Sequence, residues 1–283
     1  MRKENSDCRA VAPRDLEETD LTQLLRVVLT RPLRMIASEL IVSTTCAYLA
    51  LVYSIFYMSF QAFPIIFQDL YKLTPGVTGL IYLPIGAGAF VGLPIFWYWD
   101  NCIAKARARD AEWVKREEYR RLPLAIIGGP LFVISLFWLG FSSRSSVSFV
   151  APMMAGVPFG LGFMLIFMGF LNYLTDAYEI YAASANAAAS TCRSTLAVVL
   201  PLATSHMFQS LGVSGACALL GGLSAGMCVI PFIFIIKGPA IRAGSKFCIA
   251  LKERNEEIRR KQEEDRLRIE RANESEKSGD LDS

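Results

Sequence analysis

Hydrophobic residues collect in six long blocks that contain almost no charged side chain, and the polar residues lie between and beyond these blocks. The blocks run over residues 40–60, 77–99, 124–141, 147–174, 178–208 and 213–236. Each is close to or above the ~20 residues that an α-helix needs to cross the hydrocarbon core of a bilayer. We therefore predict an all-α, polytopic membrane protein with a bundle of six transmembrane helices over residues 37–236.

The charged segments between the blocks predict the orientation of this bundle. Of the 29 Lys and Arg residues, seven lie in residues 1–36, seven in the loop 100–122 and twelve from residue 237 onward. With six crossings these segments share one side of the bilayer, and the positive-inside rule makes that side cytoplasmic. We expect a cytoplasmic leader over 1–36, a charged cytoplasmic tail over 237–283 and a location in the plasma membrane. An amphipathic piece of the leader, 21–29, should end at Pro32.

The overall composition excludes several classes of function. The chain is 53% hydrophobic, with a mean hydropathy of +0.37 and a net charge of +3. Its basic residues follow the topology, so we expect contact with the lipid bilayer and no nucleic-acid partner. No HExxH or Walker A sequence occurs, and no His/Cys cluster, so we predict no enzyme activity, no metal and no cofactor. The seven cysteines show no CxxC spacing, which predicts free thiols.

One basic residue lies inside a block. Arg193 follows Asn186 and Ser190 in the fifth block, and at about 100° per residue the three share one face of a helix. A charge at the centre of a membrane helix costs roughly 2.5–3.5 kcal/mol on insertion scales, and it is usually tolerated only beside a cavity or a bundle interior. We predict a cavity wall in which Arg193 is stabilised by Asn186 and Ser190, or by a carboxylate such as Asp176. The alternative is that Arg193 only braces the bundle.

A second polar stripe lies in the first block. Tyr53, Tyr57 and Gln61 recur at every fourth position, so they line one helix face. Such a face can stack on a flat or cationic ligand. Helix packing and an interfacial aromatic belt explain it equally well, and for Phe63 we favour the belt.

Other polar residues lie at the ends of the blocks. Asn172 is a further candidate for substrate contact, and Asp176 follows two residues after the same block. Asp176 and Glu179 fit capping of helix ends, with gating of a transport path as the alternative. Glu39 begins the first block, where a carboxylate suits the helix dipole. We keep Glu39, Asp176 and Glu179 as gating or coupling candidates.

Small residues predict where helices approach closely or bend. Gly88 and Gly92 are four residues apart, as are Gly156 and Gly160, and this spacing is typical of membrane-helix packing faces. The Gly-Gly-Pro run at 128–130 predicts a bend in the third helix.

Several segments together resemble the C-terminal half of a fungal major facilitator superfamily transporter, from the twelve-helix drug:proton antiporter family of polyamine and multidrug exporters. The matching stretches are RPLRM (31–35), LALVYSIFY (49–57), FPIIF (63–67), PGVTGL (75–80), RLPLAIIGGPLF (121–132), AGVPFGLGFMLIFM (155–168), LNYLTDAY (171–178), YAASA (181–185), CRS (192–194) and GPAIRAGSKF (238–247).

The resemblance implies that the six helices are the second half of a twelve-helix fold and that the chain begins midway through it. It also implies efflux of a drug, polyamine or secondary metabolite in exchange for protons, with substrate held between the two halves and alternating access. The implied partners are a small-molecule substrate, protons and an N-terminal half. The chain could instead be a truncated half without transport of its own, or a membrane scaffold.

Overall fold

The computed structural model describes residues 21–245, 247–254, 256–257, 259–260 and 263–264. Expectations for residues 1–20 and for the rest of the tail lie outside these ranges. Over the described residues the chain forms helices and no strand. The helices are α1 (Leu21–Ser38), α2 (Leu40–Phe63), a π-helical turn (Pro64–Leu70), α3 (Pro75–Leu80), α4 (Leu83–Ala108), a 3-10 turn (Glu112–Lys115), α5 (Glu117–Ser142), α6 (Val150–Met154), α7 (Gly156–Tyr178), a 3-10 turn (Glu179–Tyr181), α8 (Ala182–Met227) and α9 (Val229–Ala243). A further helical segment covers residues 247–254, and we call it the tail helix.

Four continuous helical stretches of the described chain are long and apolar enough to cross a membrane. They are Leu40–Leu70, Pro75–Ala108, Glu117–Ser142 and the 94-residue stretch Val150–Ala243. At a rise of 1.5 Å per residue, 94 helical residues would extend about 140 Å, far beyond one bilayer. Gly212 interrupts this stretch inside α8, with φ of 67° and ψ of 174°, a conformation that favours glycine. The fourth stretch therefore holds the three blocks predicted as separate crossings.

One predicted helix end does not occur, and the helix that carries the predicted bend is continuous. Helix α1 continues through Pro32 to Ser38, because a proline removes one backbone hydrogen bond without forcing the helix to end. Helix α5 also continues through 128–130. Gly128 lies against α7, where an added Cβ would come within 2.8 Å of Leu165 Cβ and 2.9 Å of Gly162 O. This glycine therefore allows two helices to approach closely.

Helix α7 is packed between α4 and α5, while α2 lies along α8. Gly88 of α4 and Gly160 of α7 are in the same interface. A Cβ on Gly88 would overlap the carbonyl group of Val157, and one on Gly160 would overlap that of Ile85. The predicted packing role of both glycine pairs is confirmed, since Gly92 and Gly156 also lie in this α4–α7 interface.

The interior and the outer surface of the bundle are both apolar. Phe63 is 5% exposed and stacks on Tyr82 with ring centroids 4.9 Å apart, so its predicted place in an interfacial belt is wrong. Phe90 of α4 and Leu202 of α8 are 73% and 74% exposed. Side chains of this kind are stable on an outer surface when lipid covers them.

Candidate functional site

Arg193 of α8 lies between aromatic rings from two other helices. Its guanidinium carbon is 5.4 Å from the ring centroid of Tyr53 on α2 and 5.3 Å from that of Phe167 on α7. Its Nη2 donates a hydrogen bond to Ser190 Oγ at 3.3 Å. Cation–π contact within about 6 Å is favourable, and it strengthens as water is removed. Three helices thus meet around this one charge.

The rings continue away from Arg193 as an aromatic wall on α2 and α7. Tyr53 and Tyr57 have centroids 4.9 Å apart, and their hydroxyl oxygens are 3.2 Å apart. Phe163 stacks on Phe167 at 4.4 Å, and Phe167 lies 5.9 Å from Tyr53. We call the side chains of Tyr53, Tyr57, Phe163, Phe167, Ser190 and Arg193 the arginine–aromatic face.

Sequence reasoning did not find the two phenylalanines of this face. Phe163 and Phe167 lie in an apolar block where every neighbour is hydrophobic, so no contrast with the surrounding residues marks them. Their spacing of four residues places them on one side of α7, which is the available signal. Only the packing of α7 beside α2 shows that this side meets Tyr53.

Two suggested partners of Arg193 are occupied elsewhere. Asp176 accepts from Arg120 at 3.2 Å and from Arg121 at 2.9 Å, so its suggested pairing with Arg193 is wrong. Asn186 donates to Thr175 Oγ1 at 3.0 Å and does not bond to Arg193. The Asn186 Oδ1 atom is buried without a hydrogen bond among the described residues. Of the suggested partners, only Ser190 contacts the arginine.

The remaining candidates for substrate contact form no hydrogen bond with the arginine–aromatic face among the described residues. Gln61 is exposed one turn beyond Tyr57 on α2. Asn172 donates to Met168 O within α7 at 2.7 Å, so its amide nitrogen is used by its own helix. The structure therefore brings together Tyr53, Tyr57, Ser190 and Arg193.

A network of ion pairs connects four helices at the end of the bundle that carries the basic loop 100–122. Asp176 of α7 pairs with Arg120 and Arg121 of α5, and Arg121 also pairs with Asp100 of α4 at 3.1 Å. The capping role expected for Asp176 is therefore wrong, because its carboxylate binds side chains of another helix.

A second part of the network joins α9 to the start of α5. Arg242 pairs with both Glu117 and Glu118. The Glu118 side chain is 1% exposed, and its Oε2 atom is buried without a hydrogen bond among the described residues. A buried carboxylate of this kind depends on its cation, because unpaired burial of a charge is costly.

Glu39 joins three segments at the same end of the bundle. It is 2% exposed, and its carboxylate accepts a hydrogen bond from Tyr178 Oη at 3.2 Å and another from the Phe247 backbone N–H at 3.3 Å. It occupies the N-cap position of α2 without a capping side-chain bond, which is the position that the expected helix-dipole role requires. Glu179 ends α7 with φ of 37° and borders a cavity of about 840 Å³ beside Arg242 and the tail helix.

No protein-family model and no solved structure matches this chain. Curated fungal transporters do match it. An MFS-type efflux pump, MFS2, of Trichophyton rubrum is 36% identical over 235 residues, which are 82% of this chain and 39% of the relative. The MFS-type transporter atr4 of Stereocaulon alpinum is 36% identical over 224 residues, 79% of this chain and 40% of the relative.

A third relative is the major facilitator superfamily multidrug transporter mdrA of Aspergillus fumigatus. It is 34% identical over 229 residues, which are 81% of this chain and 37% of the relative. This chain belongs to the major facilitator superfamily. Its helical bundle and membrane-spanning stretches agree with that membership. As a major facilitator chain it spans about two fifths of the length of the curated relatives it matches.

Proposed function

We propose that this major facilitator chain takes part in the efflux of a small organic molecule and that the molecule contacts the arginine–aromatic face. The observation that carries the proposal is Arg193, a charge in an apolar helix that is held by two aromatic rings and one serine. A residue that costs this much in a membrane is retained where it meets a cavity or a partner group. Three relatives named as efflux pump, transporter and multidrug transporter support the same function.

In this proposal the residues act by binding and positioning, without a covalent step. The rings supply flat apolar surface, the tyrosine hydroxyls supply hydrogen bonds, and Arg193 supplies charge. Gln61, Asn172 and Asn186 contact the substrate when it moves along the face. The substrate is exchanged for protons by alternating access, between this bundle and an N-terminal half. The six crossings lie in the plasma membrane, with the leader and the tail in the cytoplasm.

The ion-pair network and Glu39 are the proposed gate. Asp176 holds α7 to α5, and Glu39 holds α2 to the end of α7 and to the tail helix. In the proposed gate these contacts break and re-form as α2, α5 and α7 shift against one another during alternating access. Glu179, next to the same cavity as Arg242, belongs to this proposed gate.

Export from cells tests the function. The 283-residue chain is expressed in yeast lacking its own multidrug exporters, alone and together with the N-terminal half of the Trichophyton rubrum relative, and accumulation of a panel of dyes is measured. We expect dye accumulation to fall below the empty-vector level in at least one arrangement. In Arg193→Ala we expect accumulation to rise at least tenfold above that of the parent chain, towards the empty-vector level. Arg144→Ala is the matched control, because Arg144 is exposed in a loop.

Membrane insertion is confirmed for each variant by fractionation. Unchanged accumulation of every dye in both arrangements, with inserted protein, would refute efflux. A membrane scaffold would bring about no export and would tolerate substitution of Tyr53 and Arg193, whereas an exporter would not.

A further inference from the structure

The arginine–aromatic face carries a positive charge that no carboxylate of the described residues balances. No Asp or Glu occurs in residues 40–68, 83–99, 119–175 or 180–252. The carboxylate nearest in sequence on α7, Asp176, is held by two arginines of α5. Among the described residues Arg193 forms no ion pair, so its neighbours neutralise none of its charge.

The guanidinium group also has hydrogen-bond donors to spare. Its five N–H groups lie in one plane, and a carboxylate can accept two of them side by side. Within the described chain, Nη2 donates to Ser190 Oγ, and Nε is enclosed without a partner. Nη1 has no hydrogen bond there either, and it is not among the enclosed atoms. An acceptor that arrives from the open side of the face therefore meets a donor.

Aromatic rings alone would suit a cationic ligand as well as a neutral one. Here two of the rings, Tyr53 and Phe167, already carry the guanidinium of Arg193. A second cation on the same rings would lie within a few ångströms of the first, where like charges repel each other. Polyamines therefore fit this face poorly.

We propose that the arginine–aromatic face selects organic anions in which a flat aromatic ring carries a carboxylate or a similar oxyanion. The acid group binds Arg193, and the ring stacks on the wall of Tyr57, Phe163 and their neighbours. This inference rests on the proposed function for its biological meaning, but it concerns binding alone and can be measured without transport.

Three probes with one ring system and different charge test it: 2-naphthoate, 2-naphthamide and 2-naphthylmethylammonium. Binding to the purified 283-residue chain is measured by calorimetry in nanodiscs of uncharged phosphatidylcholine lipid, so that lipid charge does not bias the result. We expect 2-naphthoate to bind at least tenfold more tightly than the amide, and the ammonium probe to bind more weakly than the amide.

Two variants then abolish the net positive charge of the face, one by deleting the charge of Arg193 and one by pairing it with a carboxylate. Arg193→Gln deletes it, and Ser190→Asp places a carboxylate beside it, since Ser190 Oγ is 3.3 Å from Nη2. In both we expect the preference for 2-naphthoate over the amide to fall below threefold. Arg193→Lys keeps the charge and should keep the order of the three probes. Arg144→Gln is the control and should change nothing.

The outcomes separate the inference from the proposed function. Equal binding of the three probes, no binding of 2-naphthoate, or an unchanged preference in the folded Ser190→Asp variant would overturn the anion selectivity. If Arg193→Gln fails to fold, the Ser190→Asp variant still decides. Anion selectivity without export by cells would leave this inference in place and refute the proposed efflux. Export of neutral and cationic dyes without anion selectivity would support the proposed efflux and refute this inference.

Discussion

Replacing Arg242 by methionine removes the cation that lies between two carboxylates at the start of α5. Glu118 is 1% exposed and Glu117 is 24% exposed at the side chain, and both bind the Arg242 guanidinium. In Arg242→Met two like charges remain together, one of them buried and already with an unpartnered Oε2. Breaking a buried pair by removal of one partner costs ~3–5 kcal/mol.

The expected consequence is a large fall in thermal stability. For chains of 150–250 residues or more, each kcal/mol lowers Tm by ~2–4 °C, so Arg242→Met should unfold roughly 6–20 °C below the parent. The assay is intrinsic tryptophan fluorescence in detergent at one fixed scan rate, because unfolding of such chains is often irreversible and then depends on the rate. Arg144→Met is the control and should shift Tm by less than about 2 °C, as expected for an exposed side chain.

A second variant identifies the cause of the destabilisation. In Arg242→Met with Glu118→Gln, the buried position is neutral and Glu117 reaches water, so we expect less than half the shift of the single variant. An Arg242→Met protein that unfolds within about 2 °C of the parent would contradict a structural role for the pair. A double variant as unstable as the single one would show that the orphaned buried carboxylate is not the source of the loss.

Three further outcomes follow from other contacts. Gly160→Val should abolish the monodisperse peak in size-exclusion chromatography, because the added Cβ meets a backbone carbonyl. Gly226→Val is the control and should keep the peak, because nothing lies within 4 Å of a Cβ at that position. Equal peaks for the two variants would contradict the predicted packing. Glu39→Ala removes the acceptor for the Phe247 N–H, so proteolysis of 247–254 should be faster, and an unchanged rate would contradict this anchor. Burial raises the pKa of the Cys248 thiol, so less thiolate is present at pH 7.5 and alkylation should be slower than for a free cysteine peptide; equal rates would contradict it.

The positions of the membrane-spanning stretches follow from the order of residues alone. In lipid every backbone polar group has to be satisfied within its own segment, so a long apolar block has to become a helix. The same reasoning marked Arg193, because a charge in such a block is expensive wherever it points. Small residues at 88 and 160 predicted close packing for a similar reason, since size is a property of the residue and not of its neighbours.

Partners are a different matter, because they depend on which helix faces lie side by side. Asp176 is followed two residues later by Tyr178, and nothing in this local order shows that its carboxylate meets two arginines some fifty residues earlier. Phe63 is an aromatic residue near a predicted membrane boundary, yet it is buried in the core against Phe67 and Tyr82. Interfacial and packed aromatic residues have the same composition.

The sequence by itself determined that the chain is helical, that its long apolar helices suit a lipid bilayer and that Arg193 is a basic residue within one of them. Only the tertiary structure placed Arg193 against Tyr53 and Phe167 and gave it no carboxylate partner among the described residues. Hydrophobicity acts on each residue separately and can be summed along a block. The groups that a charged side chain meets, by contrast, depend on the crossing angles and close approaches of helices that are distant in the chain.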